Sequence, residues 1–266
     1  IEAILEDLAA IETEGLNEVV LSGVQIGGYG SDFGLTLVDL LETLLARTTV
    51  PRIRLSSLEP WNLSDHFLDL LAHPRVQPHL HLPMQSGADS VLRRMFRRGS
   101  AAEFSDILER YYQRVPEGVV TTDIIAGFPG ESVSEWRQTM ALIGASNLGG
   151  VHCFPFSARA GTVAATLPGR LSSEEIHARC EEMNALSRDL IVRTARRFSG
   201  SCCDVLWENL LHDAADGLSY WHGLTPQFMK VAMVVNDRQE RAGLLERVEL
   251  RQFDAEAERF VADPCG

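Results

Sequence analysis

The residues best suited to chemistry in this chain are polar side chains set on or just after short apolar runs. Gln25, Ser57, Glu59, Gln85, Ser86, Arg97, Asp123 and Phe154 all occupy such places. Arg97 carries a planar fork that can hold a carboxylate through two hydrogen bonds, and Glu59 can accept from a hydroxyl or an ammonium. Taken singly, each is equally readable as a turn hydrogen bond or a surface charge. Their recurrence after successive runs points to one bound molecule touched from several elements. His79 and His81 form an H-x-H pair. With Asp123 they would give two imidazoles and a carboxylate, a donor set for a divalent metal in hydrolysis. Histidines on strands more often pack and hydrogen-bond, and no further matched ligands accompany these.

Positioning such residues requires strands that end together. The stretch HLHLPMQSGADSVLRR reads as a short strand at residues 79–82. It breaks at Pro83, turns through Gln85, Ser86 and Gly87, and enters an amphipathic helix near Asp89. A polar turn after a strand, followed by a helix whose first amides favour an anion, is the local form of a ligand-binding rim. The pattern repeats. Helical spacing over residues 1–14 stops at Gly15; strands follow at 18–23, 52–57, 119–126 and 150–154, with helices at 35–47, 64–73, 101–114, after 132 and at 172–197. Alternation of strand and helix predicts a parallel sheet with crossover helices. Because every strand ends in a polar or Gly/Pro turn, an open or partial α/β barrel of the TIM type fits better than a doubly wound sheet with one switch point. The turn GFPGE after the fourth strand lacks the Gly-Lys-Ser ending of a phosphate loop, so its Pro and glycines are read as leaving room for a base. From Gly200 the runs become short and β-rich, as expected for a small antiparallel barrel. The expected domains are residues 1–199 and 200–266.

Composition bounds what the chain can do. At 266 residues it can bury a substantial core. A formal net charge of −13 excludes grip on nucleic acid by bulk electrostatics, so any RNA contact must be local. The best basic cluster is Arg93, Arg94, Arg97 and Arg98, equally readable as a solvated helix face. Five cysteines in no disulfide-framework or zinc spacing suggest small buried thiols in a reducing, cytoplasmic setting. No run approaches a membrane span.

Several segments, in order, resemble one family. EVVLSGVQIGGYG, RIRLSSLEP, HLPMQSGADSVLRRMFRR, TTDIIAGFPGE and HCFPFSARAGTVAA are similar to successive barrel segments of the radical S-adenosylmethionine (SAM) tRNA methylthiotransferases. VLWE and GLTPQFMKV resemble their C-terminal TRAM domain, a small RNA-binding barrel. The VQIGGYG and SSLEP forms look closest to the branch that methylthiolates C2 of N6-threonylcarbamoyladenosine next to the tRNA anticodon. The resemblance implies SAM held by the eight rim residues above, 4Fe-4S clusters, an electron donor and a sulfur source. It also implies an anticodon stem-loop as partner, for which Lys230, Phe228, Trp221 and Tyr220 of the last domain could supply cationic and aromatic groups, as small barrels often do, together with Arg159. Departures are Gly99 where the family has Tyr, FSARAGT in place of YSPRPGT, and an acidic TRAM segment. The family's CxxxCxxC loop is expected ahead of Ile1. On this reading the chain is a C-terminal fragment, inactive as given, with residues 18–23 forming an uncovered apolar edge. The alternatives are a remnant that binds SAM or tRNA without catalysis, and the metal-dependent hydrolase of His79, His81 and Asp123.

Overall fold

The computed structural model describes every residue except 62, 213–216, 236–238 and 266. Its first lobe runs α1 (Glu2–Thr13), β1 (Glu18–Leu21), α2 (Leu37–Arg47), β2 (Arg52–Leu55), α3 (Asp65–Leu70), β3 (His79–His81), α4 (Asp89–Arg94), α5 (Ala101–Arg114), β4 (Val119–Ala126), α6 (Val133–Ala145), β5 (Gly150–Pro155) and α7 (Ser173–Phe198). The second holds β6 (Cys202–His212), β7 (Ser219–Leu224), β8 (Lys230–Val235), β9 (Leu245–Asp254) and β10 (Arg259–Pro264). Helix starts follow their sequence signals: Thr36, Ser132 and Ser172 each close a capping box with the acidic residue three positions on.

All strand pairs of the first lobe are parallel. β1 pairs with β2, and β3, β4 and β5 follow in order. The two sheets join where Ile53 bridges Val76 and where Leu58 N donates to His81 O at 2.9 Å. The result is one curved wall of five strands, as in a partial barrel. Alternation along the strands assigns its two faces. Val19, Ile53, Leu55, Leu80, Val120, Ile124 and Val151 point to the helices and form the core. Glu18, Arg52, Arg54, His79, His81, Thr121, Asp123 and His152 share the opposite, inner face. Among the described residues β1 has a partner on one side alone, and Val20 is 55% exposed there.

Strands β6 to β10 close into a barrel in the order β10-β8-β7-β6-β9, around Val205, Trp207, Trp221, Val231 and Phe260. The β8–β10 pair that closes it is parallel, whereas the rest are antiparallel. Closure corrects the expectation for the cysteines. Cys202 and Cys265 form a disulfide across 63 residues, brought together because β6 and β10 both pair with β9. Cys153, Cys180 and Cys203 are free thiols. No helix among the described residues is long and apolar enough to cross a membrane.

The second lobe docks on one end of the inner face. Glu18 lies between Arg52, at 2.6 Å, and Arg54, at 2.8 Å, with all three side chains buried. The guanidiniums also donate to the turn between β7 and β8: Arg52 Nη2 to Thr225 O at 3.2 Å and Arg54 Nη1 to Pro226 O at 3.1 Å. Phe228 of that turn stacks on His79, with centroids 5.1 Å apart, and lies under the Arg54 guanidinium. One carboxylate thus serves two buried cations. Removing one partner of such a buried set typically costs about 3–5 kcal/mol, because the charges left behind remain out of water. We expect Glu18→Gln to lower stability by that amount in urea unfolding followed by circular dichroism. A loss below about 1 kcal/mol would show that water already reaches the two arginines.

Candidate functional site

Two groups of polar residues gather at the ends and inner face of the parallel strands. The first is at the rim. Gln25, Glu59, Trp61, Phe96, Arg97 and Arg98 line a cavity of about 400 Å³. Glu59 is set by its neighbours, since Leu58 is buried and hydrogen-bonded to β3 and Pro60 is buried too. Arg97 follows the short helix α4 in a tight turn, where Phe96 and Gly99 both take positive φ, 54° and 84°. That turn swings the arginine out of the helix surface and towards Glu59, 3.6 Å away, with both side chains about half exposed. The ring of Trp61 packs directly on the Gly99 backbone.

The second group is inside. Asp123 on β4 pairs in register with His152 on β5, and His81 on β3 lies one strand over. His81 Nε2 is 3.1 Å and His152 Nδ1 3.3 Å from the same oxygen, Asp123 Oδ1. That oxygen is buried, yet neither ring nitrogen makes an aligned hydrogen bond to it. Burial would raise the Asp123 carboxyl, but the two histidines outweigh it and hold it well below the usual carboxylate range. The carboxylate in turn raises His152. Among the described residues these three are the group able to hold a metal ion, their ligand atoms all within 4.8 Å of one another.

His79 belongs elsewhere, which corrects the trio of His79, His81 and Asp123. Its ring contacts Thr121 Oγ1 at 3.2 Å, stacks on Phe228, and is pushed down to about 3 by burial, so it is neutral. The third ligand is His152. Its signal was present in the alternation H-C-F before Pro155, which puts His152 on the face of Phe154, but the register with β4 had to be known.

The remaining expected residues are divided. Ser57 is exposed after β2, and Phe154 is half exposed on β5. Gln85 takes φ 74° and is buried, its backbone bonded to Asp123 O and Ile125 N. Ser86 is fully buried, with its hydroxyl 3.3 Å from that of Thr139 on α6. The MQSG turn therefore acts as a wedge between β4 and α6. In GFPGE the space beside Gly127 is taken by Ile176, not left for a base. Glu131 closes that turn by accepting from Gly127 N and pairing with Arg179 at 2.5 Å. Of the basic cluster, Arg94 is held by Glu135 at 2.9 Å through two hydrogen bonds. Lys230 and Arg159 are exposed, Phe228 is engaged with His79, and Trp221 is in the barrel core.

Residues 1–143, more than half of the sequence, match the family model of the radical SAM superfamily. The chain belongs to that superfamily. Over 209 residues it is 33% identical to the threonylcarbamoyladenosine tRNA methylthiotransferase MtaB of Thermotoga maritima, covering 78% of this chain and 48% of that protein. Over 200 residues it is 36% identical to a tRNA-2-methylthio-N(6)-dimethylallyladenosine synthase of a Nocardioides species, covering 74% and 40%. The chain spans about half the length of these curated relatives or less. Among solved structures, the radical SAM enzyme coproporphyrinogen III oxidase (HemN) of Escherichia coli superposes with a TM-score of 0.56 at 12% identity, over 85% of this chain and 59% of that one. This likeness concerns the fold alone.

Radical SAM chemistry uses SAM and a 4Fe-4S cluster. The rim fits SAM: a cation and an anion face one cavity beside aromatic rings, as a zwitterionic amino acid and a sulfonium require. The cluster does not fit residues of this chain, because its cysteines have no CxxxCxxC spacing and the described group with metal-ligand geometry holds none.

The contact of Trp61 with Gly99 can be tested directly. A Cβ added at Gly99 would lie 2.1 Å from the indole, on a backbone that side chains rarely adopt. Gly99→Ala should cost roughly 1–3 kcal/mol and expel Trp61 from the rim. Urea midpoints of Gly99→Ala in wild-type and Trp61→Ala backgrounds will check it: the penalty should shrink once the indole is gone.

Proposed function

We propose that this chain forms the SAM-binding and tRNA-contacting part of a methylthiotransferase that acts on C2 of N6-threonylcarbamoyladenosine beside the anticodon. The observation that carries the proposal is the Glu59–Arg97 pair opening onto the rim cavity with Gln25 and Trp61. Relatives acting on either adenine match this chain, and the choice of this one rests on the resemblance of its VQIGGYG and SSLEP segments.

In this reading Arg97 grips the SAM carboxylate through its planar fork, and Glu59 accepts from the ammonium. The two side chains are half exposed, so parting them to admit the ligand costs little. Trp61 and Phe96 offer ring faces to the sulfonium. Gln25 lines the same cavity from the turn after β1, and exposed Ser57 precedes Glu59 by two residues after β2. Gln85 and Ser86, being buried, act by fixing the turn, whereas Asp123 and Phe154 face the barrel interior where a base would enter. One SAM would supply the methyl group and a second the radical chemistry; the cluster, electron donor and sulfur source lie outside the residues described. RNA contact falls to Lys230 and Arg159, with Phe228 available if it leaves His79, in a cytoplasmic protein.

Calorimetry with SAM tests this. We expect saturable binding by the wild-type chain and a loss of about tenfold or more in Arg97→Ala, the worth of one charge-assisted hydrogen bond. Glu59→Gln should weaken binding less, since an amide still accepts from the ammonium. No heat in the wild type, or unchanged affinity in Arg97→Ala, would end the proposal.

A further inference from the structure

We infer that His81, Asp123 and His152 form a binding site for one first-row divalent cation, such as Zn²⁺, inside the partial barrel. The site is separate from the rim cavity, whose lining includes none of the three.

All three ligand atoms lie within 4.8 Å of one another, and two of their separations match the spacing around a metal. In tetrahedral coordination with ligand bonds near 2.05 Å, neighbouring ligand atoms stand about 3.4 Å apart. The two ring nitrogens lie 3.1 and 3.3 Å from Asp123 Oδ1, close to that spacing. The same oxygen is buried and accepts no aligned hydrogen bond, so the three groups converge without completing one another. A cation placed among them would satisfy the orphaned carboxylate oxygen and use both imidazole lone pairs.

The surroundings support the ligands as metal sites require. His81 Nδ1 is 2.8 Å from Thr121 Oγ1. When that nitrogen donates its proton to the hydroxyl, Nε2 is left with its lone pair towards Asp123. The ligands come from three adjacent parallel strands, with Asp123 and His152 opposite each other in register, so the backbone ladder fixes their spacing. Two histidines and one carboxylate leave coordination positions open, and the exposed ring of His152 puts them within reach of solvent. The ion would therefore bind a water or an oxygen atom of a substrate. Arg54, a cation on the same face, is already committed to Glu18 and the turn at residues 225–228.

Zinc titration of the purified, metal-stripped full chain against a chromophoric indicator tests the inference, with Co²⁺ as a spectroscopic probe. We expect one equivalent bound and visible cobalt bands, with affinity reduced at least tenfold in both His152→Ala and Asp123→Asn. His152 is mostly exposed, so its variant should keep the wild-type circular dichroism spectrum and thermal midpoint without metal. His66→Ala and His177→Ala remove surface His–Glu pairs and should leave binding unchanged. The inference is overturned if no equivalent binds, if binding persists in His152→Ala and Asp123→Asn, or if the surface variants abolish it instead.

Discussion

A parallel sheet covered by helices on one side must still satisfy whatever its other face carries, and here that face is charged. Glu18, Arg52 and Arg54 sit at one end of it, buried and within ion-pair distance. Desolvating three ions costs more than their mutual attraction returns unless further hydrogen bonds complete them. One carboxylate cannot neutralise two guanidiniums, and the remaining donors find the carbonyls of Thr225 and Pro226. The demand for acceptors in the first lobe is therefore met by the second. This ties a β-barrel to a parallel sheet with which it shares no strand.

That solution divides the inner face. Its lower end is closed by Phe228 over His79 and Arg54, and the upper end is left to Asp123, His81 and His152. Thr121 stands at the junction, its hydroxyl contacting one histidine of each half. A neutral His79 below and a carboxylate held ionised above are consequences of the same wall: burial governs the first and neighbouring imidazoles the second. Polar groups beyond the reach of the docked turn remain open to a ligand, and they are the ones near the strand ends.

The sequence was informative wherever local rules decide. Strand-to-helix alternation and the turn at Pro83 located the elements to within a few residues, since each depends on neighbours a few positions away. Glu59 and Arg97 were legible because each follows its strand or helix in a turn. Pairings fixed by register were not legible. His152 joins Asp123 through the β4–β5 ladder, and His79 leaves the group because a turn some 150 residues later covers it. Cys202 and Cys265 meet through barrel closure, which spacing along the chain does not encode. Ser86 looked available in a polar turn, yet the close approach of Gly87 to Thr139 on α6 buries it.

Gly99 shows how one backbone position can decide which ring lines a cavity. At this position the chain has a glycine at φ 84°, a conformation costly for any side chain. The space beside it is filled from another element, by Trp61 after β2, whose ring lies against the Gly99 backbone. The rim cavity thus has an aromatic wall, attached to the turn that also carries Glu59. Anion and ring are two residues apart on one segment, anchored by buried Leu58 and Pro60. Their relative position is therefore set by local backbone, whereas Arg97, on the far side, approaches from a turn of its own. The cavity thus joins one locally anchored wall to a cation brought by a separate element, the two facing each other across 3.6 Å.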